Sequence, residues 1–181
     1  MLVLASRSPR RREILQQAGI PFIVRPTDID ETPLPEEAAG DYVTRIARQK
    51  AQAAVVEAGE IILAADTTVT IDSQILAKPL DPADARRMLA MLSGRRHKVL
   101  TGICLRSPGR VIEDCAETSV WFAPLSPREI DDYAASGEPM DKAGGYAIQG
   151  LASKFVERIE GCYFNVMGLP VALVYRHLRQ R

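Results

Sequence analysis

The 181-residue chain is poor in the features that mark membrane, disulfide-rich or nucleic-acid-binding proteins. No apolar run approaches the roughly 20 residues of a bilayer span. The opening run Leu2-Val3-Leu4 is followed by arginines where a signal peptide would carry a small-residue cleavage site. The three cysteines, Cys104, Cys115 and Cys162, are odd in number and scattered, which argues against a disulfide framework or a C-x-x-C site. Cys104 lies in an apolar run and reads as a small core residue, so a reducing, cytoplasmic setting is expected. The two histidines, His97 and His177, are far apart, which disfavours a histidine-based zinc site. His177 falls in a helix-like stretch and reads as structural or solvent-facing. Basic and acidic residues balance at 23 each, so nothing pulls the chain as a whole toward nucleic acid or anionic membrane. Walker A, G-x-G-x-x-G and G-x-S-x-G patterns are all missing, against a P-loop NTPase, a Rossmann dehydrogenase and an α/β-hydrolase. There is no internal repeat and no low-complexity linker. With 46% hydrophobic residues, the length suits one domain over residues 1–181, or two small lobes around one cleft.

What is present is concentrated at the start. Leu2-Val3-Leu4 reads as a short buried strand, and Ala5-Ser6-Arg7-Ser8-Pro9-Arg10-Arg11-Arg12-Glu13 leads into a helix. Ser8 suits the N-cap, where its hydroxyl accepts from a first-turn amide. Pro9 suits the first helical position, where a missing N–H costs nothing. Three guanidiniums at the positive end of a helix dipole call for an anion, and a polyphosphate would provide one. The plainer reading is a solvated basic helix start.

Further along, Phe22-Ile23-Val24 reads as a second strand and Pro26 to Pro35 as an acidic loop. A long helix is expected from about Glu36 to Ala58, with Tyr42, Ile46, Ala53 and Val56 as its apolar stripe and Gly59 as its stop. Ile61-Ile62-Leu63-Ala64-Ala65 has the continuous apolar character of a strand buried on both faces. Asp81 caps a third helix, Pro82 to Leu92. Two strands, about Lys98 to Leu105 and Val111 to Phe122, flank Ser107-Pro108-Gly109 as a hairpin. Ser126-Pro127 starts a helix to about Ala135, a glycine-rich irregular segment spans Asp141 to Gly150, Phe155 to Ile159 is a strand, and Pro170 opens the last helix. Such alternation points to an α/β protein with a mixed sheet.

Asp66 is the leading catalytic candidate, a carboxylate placed to emerge from the solvent-facing end of the 61–65 strand. Its alternative role is to hydrogen-bond a turn through Thr67 or Thr68. Glu31, beside Asp28 and Asp30, offers hard oxygen ligands to a divalent ion, or is a solvated acid. Lys50 sits on the long helix, on an exposed face unless it serves an anion. Lys78-Pro79 could present an ammonium to a phosphate. Gln149 carries an amide able to match a carbonyl and ring N–H of a pyrimidine, or else is buried and satisfies loop amides.

Taken in order, Leu4-Ala5-Ser6-x-Ser8-Pro9-Arg10-Arg11-x-Glu13-x-Leu15, Ala64-Ala65-Asp66-Thr67, Lys78-Pro79, Asp141-Lys142-Ala143-Gly144-Gly145-Tyr146-Ala147-Ile148-Gln149-Gly150 and Gly161-x-Tyr163-x-Asn165-Val166-x-Gly168-Leu169-Pro170 resemble the Maf family of nucleoside triphosphate pyrophosphatases. The resemblance spans nearly the whole chain. It implies a two-lobed α/β fold like that of inosine triphosphatases, a mixed twisted sheet flanked by helices with the active site in a cleft between the lobes. It further implies a cytoplasmic enzyme that splits a nucleoside triphosphate into monophosphate and pyrophosphate and limits incorporation of non-standard nucleotides. Asp66-Thr67 with Ile148-Gln149-Gly150 resembles the branch acting on dTTP and UTP. By the same resemblance Asp66 is the proton acceptor, and Arg11, Thr67 and Gln149 set substrate choice. Ser6, Arg10, Lys50 and Lys78 bind phosphates, and Glu31 helps hold a divalent cation such as Mg²⁺ or Mn²⁺. Arg7 and Cys162 depart from the usual pattern outside this set. The implied partner is the nucleotide, with no nucleic acid or membrane, and a homodimer is left open. The alternatives are a regulatory binding protein of septum formation, or a pyrophosphatase for 7-methyl-GTP, inosine triphosphate or xanthosine triphosphate.

Overall fold

The strands follow the β-branched and apolar runs. In the computed structural model, which describes residues 1–180, they form one mixed seven-stranded sheet. In chain order these are β1 (Leu2–Leu4), β2 (Phe22–Val24), β3 (Ile61–Ile71), β4 (Gln74–Leu76), β5 (Arg96–Ser107), β6 (Arg110–Phe122) and β7 (Val156–Glu160). The spatial order is β2-β1-β3-β5-β6-β7, with β4 paired on β3. β1 runs parallel to both β2 and β3, whereas β3–β4 and β6–β7 are antiparallel. Six α-helices accompany the sheet among the described residues: α1 (Pro9–Gln17), α2 (Ala39–Ala53), α3 (Pro82–Leu92), α4 (Pro127–Ala135), α5 (Tyr163–Met167) and α6 (Val171–Arg179).

Several local signals act as their chemistry dictates. The Ser8 hydroxyl accepts from the Arg11 amide with Pro9 in the first turn of α1, and Asp81 caps α3 through the Asp84 amide. Ser126 and Glu129 form a reciprocal capping box on α4. Pro108-Gly109 joins β5 and β6, with Gly109 at a φ of +77°.

Two expectations need correction. The long helix is shorter at both ends than 36–58. Glu36 takes a φ of 56°, and Ala54 is extended at the C-cap, so Val55 to Ala58 lie outside α2. The buried face of α2 is Tyr42, Val43, Ile46, Ala47, Lys50 and Ala51, not one continuing through Ala53 and Val56. Second, β3 does not stop at Ala65. Thr67, Thr68, Val69, Thr70 and Ile71 are β-branched and carry it on to the Asp72-Ser73 turn. Asp66 is therefore a mid-strand residue, not an emerging strand end, and no turn follows it for its carboxylate to cap. The short helix α5 was not anticipated.

The chain divides into two compact units. The first comprises Met1–Thr67, Thr101–Ala116 and Gly168–Arg181, and the second Thr68–Leu100 and Glu117–Met167. In the first, α2 lies on the sheet through small residues: Val3, Ala5, Ala47, Ala51, Ala54, Ile62, Ala64 and Cys104 form one buried cluster. Cys104 is a core residue, as its surroundings suggested, and burial pushes its thiol up to about 11. The closest approach is at Gly102 on β5, where a Cβ would fall 2.5 Å from the carbonyl carbon and oxygen of Val43 and 2.6 Å from the Thr44 nitrogen. Helix backbone thus rests directly on strand backbone. His177 on α6 is bonded to Asp114 at 2.8 Å and is structural.

The second unit is built round aromatic edges. His97, Phe122 and Tyr146 meet in T-shaped pairs with centroids 4.8–5.4 Å apart, and Tyr133 packs on Phe155 at 5.5 Å. The Tyr133 hydroxyl donates to Glu138 at 2.7 Å and accepts from the Ala147 amide at 3.2 Å. Glu138 also accepts from the Leu151 amide at 3.0 Å. The glycine-rich segment is held from both sides in this way.

Candidate functional site

The first unit gathers most of the residues singled out from the sequence. Asp66 is only 6% exposed, in the middle of β3, and Lys50 is 8% exposed on the buried face of α2. The Lys50 ammonium donates to Asp66 Oδ1 at 2.7 Å and lies 2.7 Å from Glu31 Oε1. Lys50 is thus not on an exposed helix face, and Glu31, although partly exposed, is not simply a solvated acid.

The Glu31 loop is tied down from α2. The Tyr42 hydroxyl donates to the Glu31 carbonyl at 2.9 Å, and the Thr27 hydroxyl to the Lys50 carbonyl at 3.2 Å. Arg45 grips Glu37 with two hydrogen bonds of 2.6 Å and reaches the Thr32 carbonyl at 3.2 Å. Tyr42 and Arg45 went unmarked in the sequence, where Tyr42 read only as part of an apolar stripe. Their partners are loop backbone and a loop carboxylate, which no periodicity signals.

Arg11 is 9% exposed and the solvated reading of the helix start fails for it. It donates from Nε to the Gly168 carbonyl at 2.8 Å, from Nη1 to the Ser6 hydroxyl at 3.2 Å, and from Nη2 to the Thr67 hydroxyl at 3.1 Å. Thr67 in turn bonds the Thr101 hydroxyl at 2.9 Å. The Ser6 hydroxyl also accepts from the Ser8 amide at 3.2 Å. Gly168 takes a φ of +117°, a conformation that favours glycine at the position whose carbonyl Arg11 holds. Its neighbours in the basic cluster diverge. Arg12 is exposed, Arg10 is half-buried, and Arg7 is exposed and paired with Asp28 at 2.5 Å.

The charges set the chemistry. Burial pushes the Asp66 carboxyl up, and Glu31 adds to that push. The Lys50 and Arg11 charges and the Lys50 hydrogen bond oppose it. Burial lowers the Arg11 guanidinium from its ordinary value, against the attraction of Asp66. A carboxylate balanced between a dry site and two cations is suited to taking a proton from water.

Lys78 and Gln149 belong to the second unit. Lys78 is exposed on a bend. Gln149 is exposed at the centre of a turn over residues 148–150, with the Gly150 amide bonded to the Ala147 carbonyl at 3.0 Å. It is therefore not a buried glutamine satisfying loop amides. A Cβ at Gly150 would lie 2.3 Å from Glu138 Oε2, so a side chain there would displace the Glu138 carboxylate from its bonds to Tyr133 and the Leu151 amide.

Among the described residues no group of three or more His, Cys, Asp or Glu side chains converges as a self-sufficient metal cage. A magnesium-type ion bound with phosphates needs only one or two protein carboxylates. Glu31 and Asp66, which reach the same ammonium, fit that requirement.

Comparison with known proteins finds relatives that span nearly the whole chain. The chain is 54% identical to a dTTP/UTP pyrophosphatase of an Anaeromyxobacter species over 99% of its own length and 88% of the relative's. It is 48% identical to a dTTP/UTP pyrophosphatase of Koribacter versatilis, over 99% of this chain and 93% of that one. In fold it resembles a HAM1 protein from Coxiella burnetii, with a TM-score of 0.58 at 17% identity over 99% of this chain and 98% of that chain. The Ham1 protein of Staphylococcus aureus gives 0.55 at 13% identity, with the same coverage. The mixed, helix-flanked sheet expected from the sequence is therefore a shared fold. The Maf-like protein family model matches residues 1–181, and the chain belongs to the Maf family.

Proposed function

We propose that the chain hydrolyses dTTP and UTP to the monophosphate and pyrophosphate. The activity is the one named for its relatives at about half identity over nearly the whole chain. The observation that carries it is the buried Asp66 carboxylate held between Lys50 and the Arg11 charge. Asp66 accepts a proton from the water that attacks the α-phosphorus, and pyrophosphate leaves. The Lys50 ammonium has three donors; Asp66 and Glu31 occupy two, and the third serves a phosphate oxygen. Ser6, Arg10 and Lys78 are the further phosphate contacts. Glu31 and Asp66 would hold a divalent cation, which when bound neutralises triphosphate charge. No helix among the described residues is long and apolar enough to cross a membrane. The place of work we propose is the cytoplasm, where a reduced thiol such as the buried Cys104 is ordinary.

Base choice falls to Gln149 with Arg11 and Thr67. An exposed amide on a braced turn presents one acceptor and two donors to a carbonyl beside a ring N–H, as in uracil and thymine. Cytosine reverses that pattern. A mismatched donor or acceptor costs roughly 1–3 kcal/mol, about ten- to a hundred-fold in specificity. Specificity constants for dTTP, UTP, CTP, GTP and 7-methyl-GTP test the reading. The expected order puts dTTP and UTP first, with Gln149→Ala flattening the preference more than the rate. A preference for CTP or a purine would overturn it.

A further inference from the structure

Thr67 carries one hydroxyl hydrogen, and three protein groups already surround its oxygen. Arg11 Nη2 donates to it from 3.1 Å. The Thr101 hydroxyl is at 2.9 Å and the Gly168 carbonyl at 3.3 Å. Whichever of the two threonines donates, the Thr67 hydrogen goes to Thr101 or to Gly168. The hydroxyl is thus committed inside the protein, and Thr67 has no proton left to direct at a base. Its influence on substrate choice must run through where it holds Arg11 and how its methyl group stands.

We infer that Thr101, fully buried on β5, is a positioning residue for base selection that acts by locking the Thr67 hydroxyl and, through it, the Arg11 guanidinium. Thr67, Thr101 and Gly168 are each the first-unit residue at which the chain passes to or from the second unit. Arg11 bonds Thr67 and Gly168 directly and reaches Thr101 through Thr67. One guanidinium is therefore tied directly to β3 at Thr67 and to Gly168, and through the Thr67 hydroxyl to β5 at Thr101. The inference rests on the pyrimidine pyrophosphatase reading above.

The test uses the whole enzyme and the substitutions Thr101→Val, which keeps the shape and removes the hydroxyl, and Thr101→Ser, which keeps the hydroxyl. Specificity constants for dTTP and CTP are measured for both, for Thr67→Val and for Thr67→Val/Thr101→Val. One lost hydrogen bond corresponds to about a fivefold change, so the dTTP-over-CTP ratio should fall about fivefold in Thr101→Val. It should stay near wild type in Thr101→Ser. In the Thr67→Val background, adding Thr101→Val should change the ratio no further. Solvent exchange of the Arg11 Nε–H, followed by NMR without nucleotide, should quicken in Thr101→Val and not in Thr101→Ser. If Thr101→Val does not fold, Thr101→Ala carries the same expectations. An unchanged ratio in the folded variant, or an equal fall with and without the Thr67 hydroxyl, overturns the inference. A wild type with no preference for dTTP over CTP overturns the underlying substrate reading instead, and the exchange measurement still reads the lock.

Discussion

Asp66 and Lys50 show how residue chemistry depends on what burial surrounds. An isolated aspartate in a dry strand would hold its proton. Here the Lys50 ammonium at 2.7 Å and the Arg11 charge work against that tendency. Removing the ammonium should let burial prevail. In Lys50→Met the Asp66 carboxyl rises further, so less of it is ionised at a given pH. The acid limb of the kcat/KM profile should then move to higher pH by about one unit or more, the usual size of an adjacent opposite charge. The rate at the optimum should fall as well, but an unmoved limb would mean that Lys50 does not tune Asp66. At this scale the sequence was partly legible. The apolar run before Asp66 marked it as unusual, and the arginines marked the start of α1. That Arg11 turns inward could not be read, because its partners Thr67 and Gly168 lie 56 and 157 positions away.

At the scale of elements, α2 matters most, because it brings Lys50 to Asp66 and supports the Glu31 loop. It can do so only because β5 offers no side chain at Gly102, where a Cβ would overlap the Val43 and Thr44 backbone. Backbone does not yield as a side-chain tip does, so Gly102→Ala should cost about 1–3 kcal/mol in a urea unfolding curve. It should also lower activity by displacing Lys50 relative to Asp66. A variant with wild-type stability would show that the helix sits farther from the strand than described. Caps and turns were the most legible part, since Ser8-Pro9, Asp81-Pro82, Ser126-Pro127 and Pro108-Gly109 act locally. Element ends governed by tertiary packing were not. The 36–58 segment has helix-compatible residues throughout, yet ends at Ala53. β3 runs through Asp66 because its threonines and valine suit a strand and the Lys50 ammonium satisfies the carboxylate.

At the scale of the molecule, the balance of charge leaves stability to burial and to a few titrating groups. His97 is 2% exposed, and burial holds its imidazole down to about 4 from 6.5. The unfolded chain therefore takes up a proton at a pH where the folded chain does not. Stability contributed by neutral His97 is present above about pH 6.5 and is lost as pH falls toward about 4. At 1.36 kcal/mol per pH unit this amounts to about 2 kcal/mol between pH 7 and pH 5. The raised carboxyl of Asp66 acts in the opposite sense, since the folded chain holds that proton more tightly. Urea unfolding at both pH values for wild type and His97→Gln separates the two effects: the variant should lose less stability on acidification. Equal losses would remove His97 from the account. The pairing of His97 with Tyr146 at 2.8 Å joins residues 49 apart, another contact no local pattern announces.

The proposed reaction is hydrolysis at the α-phosphorus with Asp66 as proton acceptor. Its most direct test is ³¹P NMR of dTTP turnover in ¹⁸O-labelled water, on wild type and Asp66→Asn. The expected products are dTMP and pyrophosphate, with the label in the α-phosphate of dTMP and none in pyrophosphate, and the rate in Asp66→Asn should be lower by about 100-fold or more. Release of orthophosphate, label in pyrophosphate, or near-normal turnover by Asp66→Asn would contradict it.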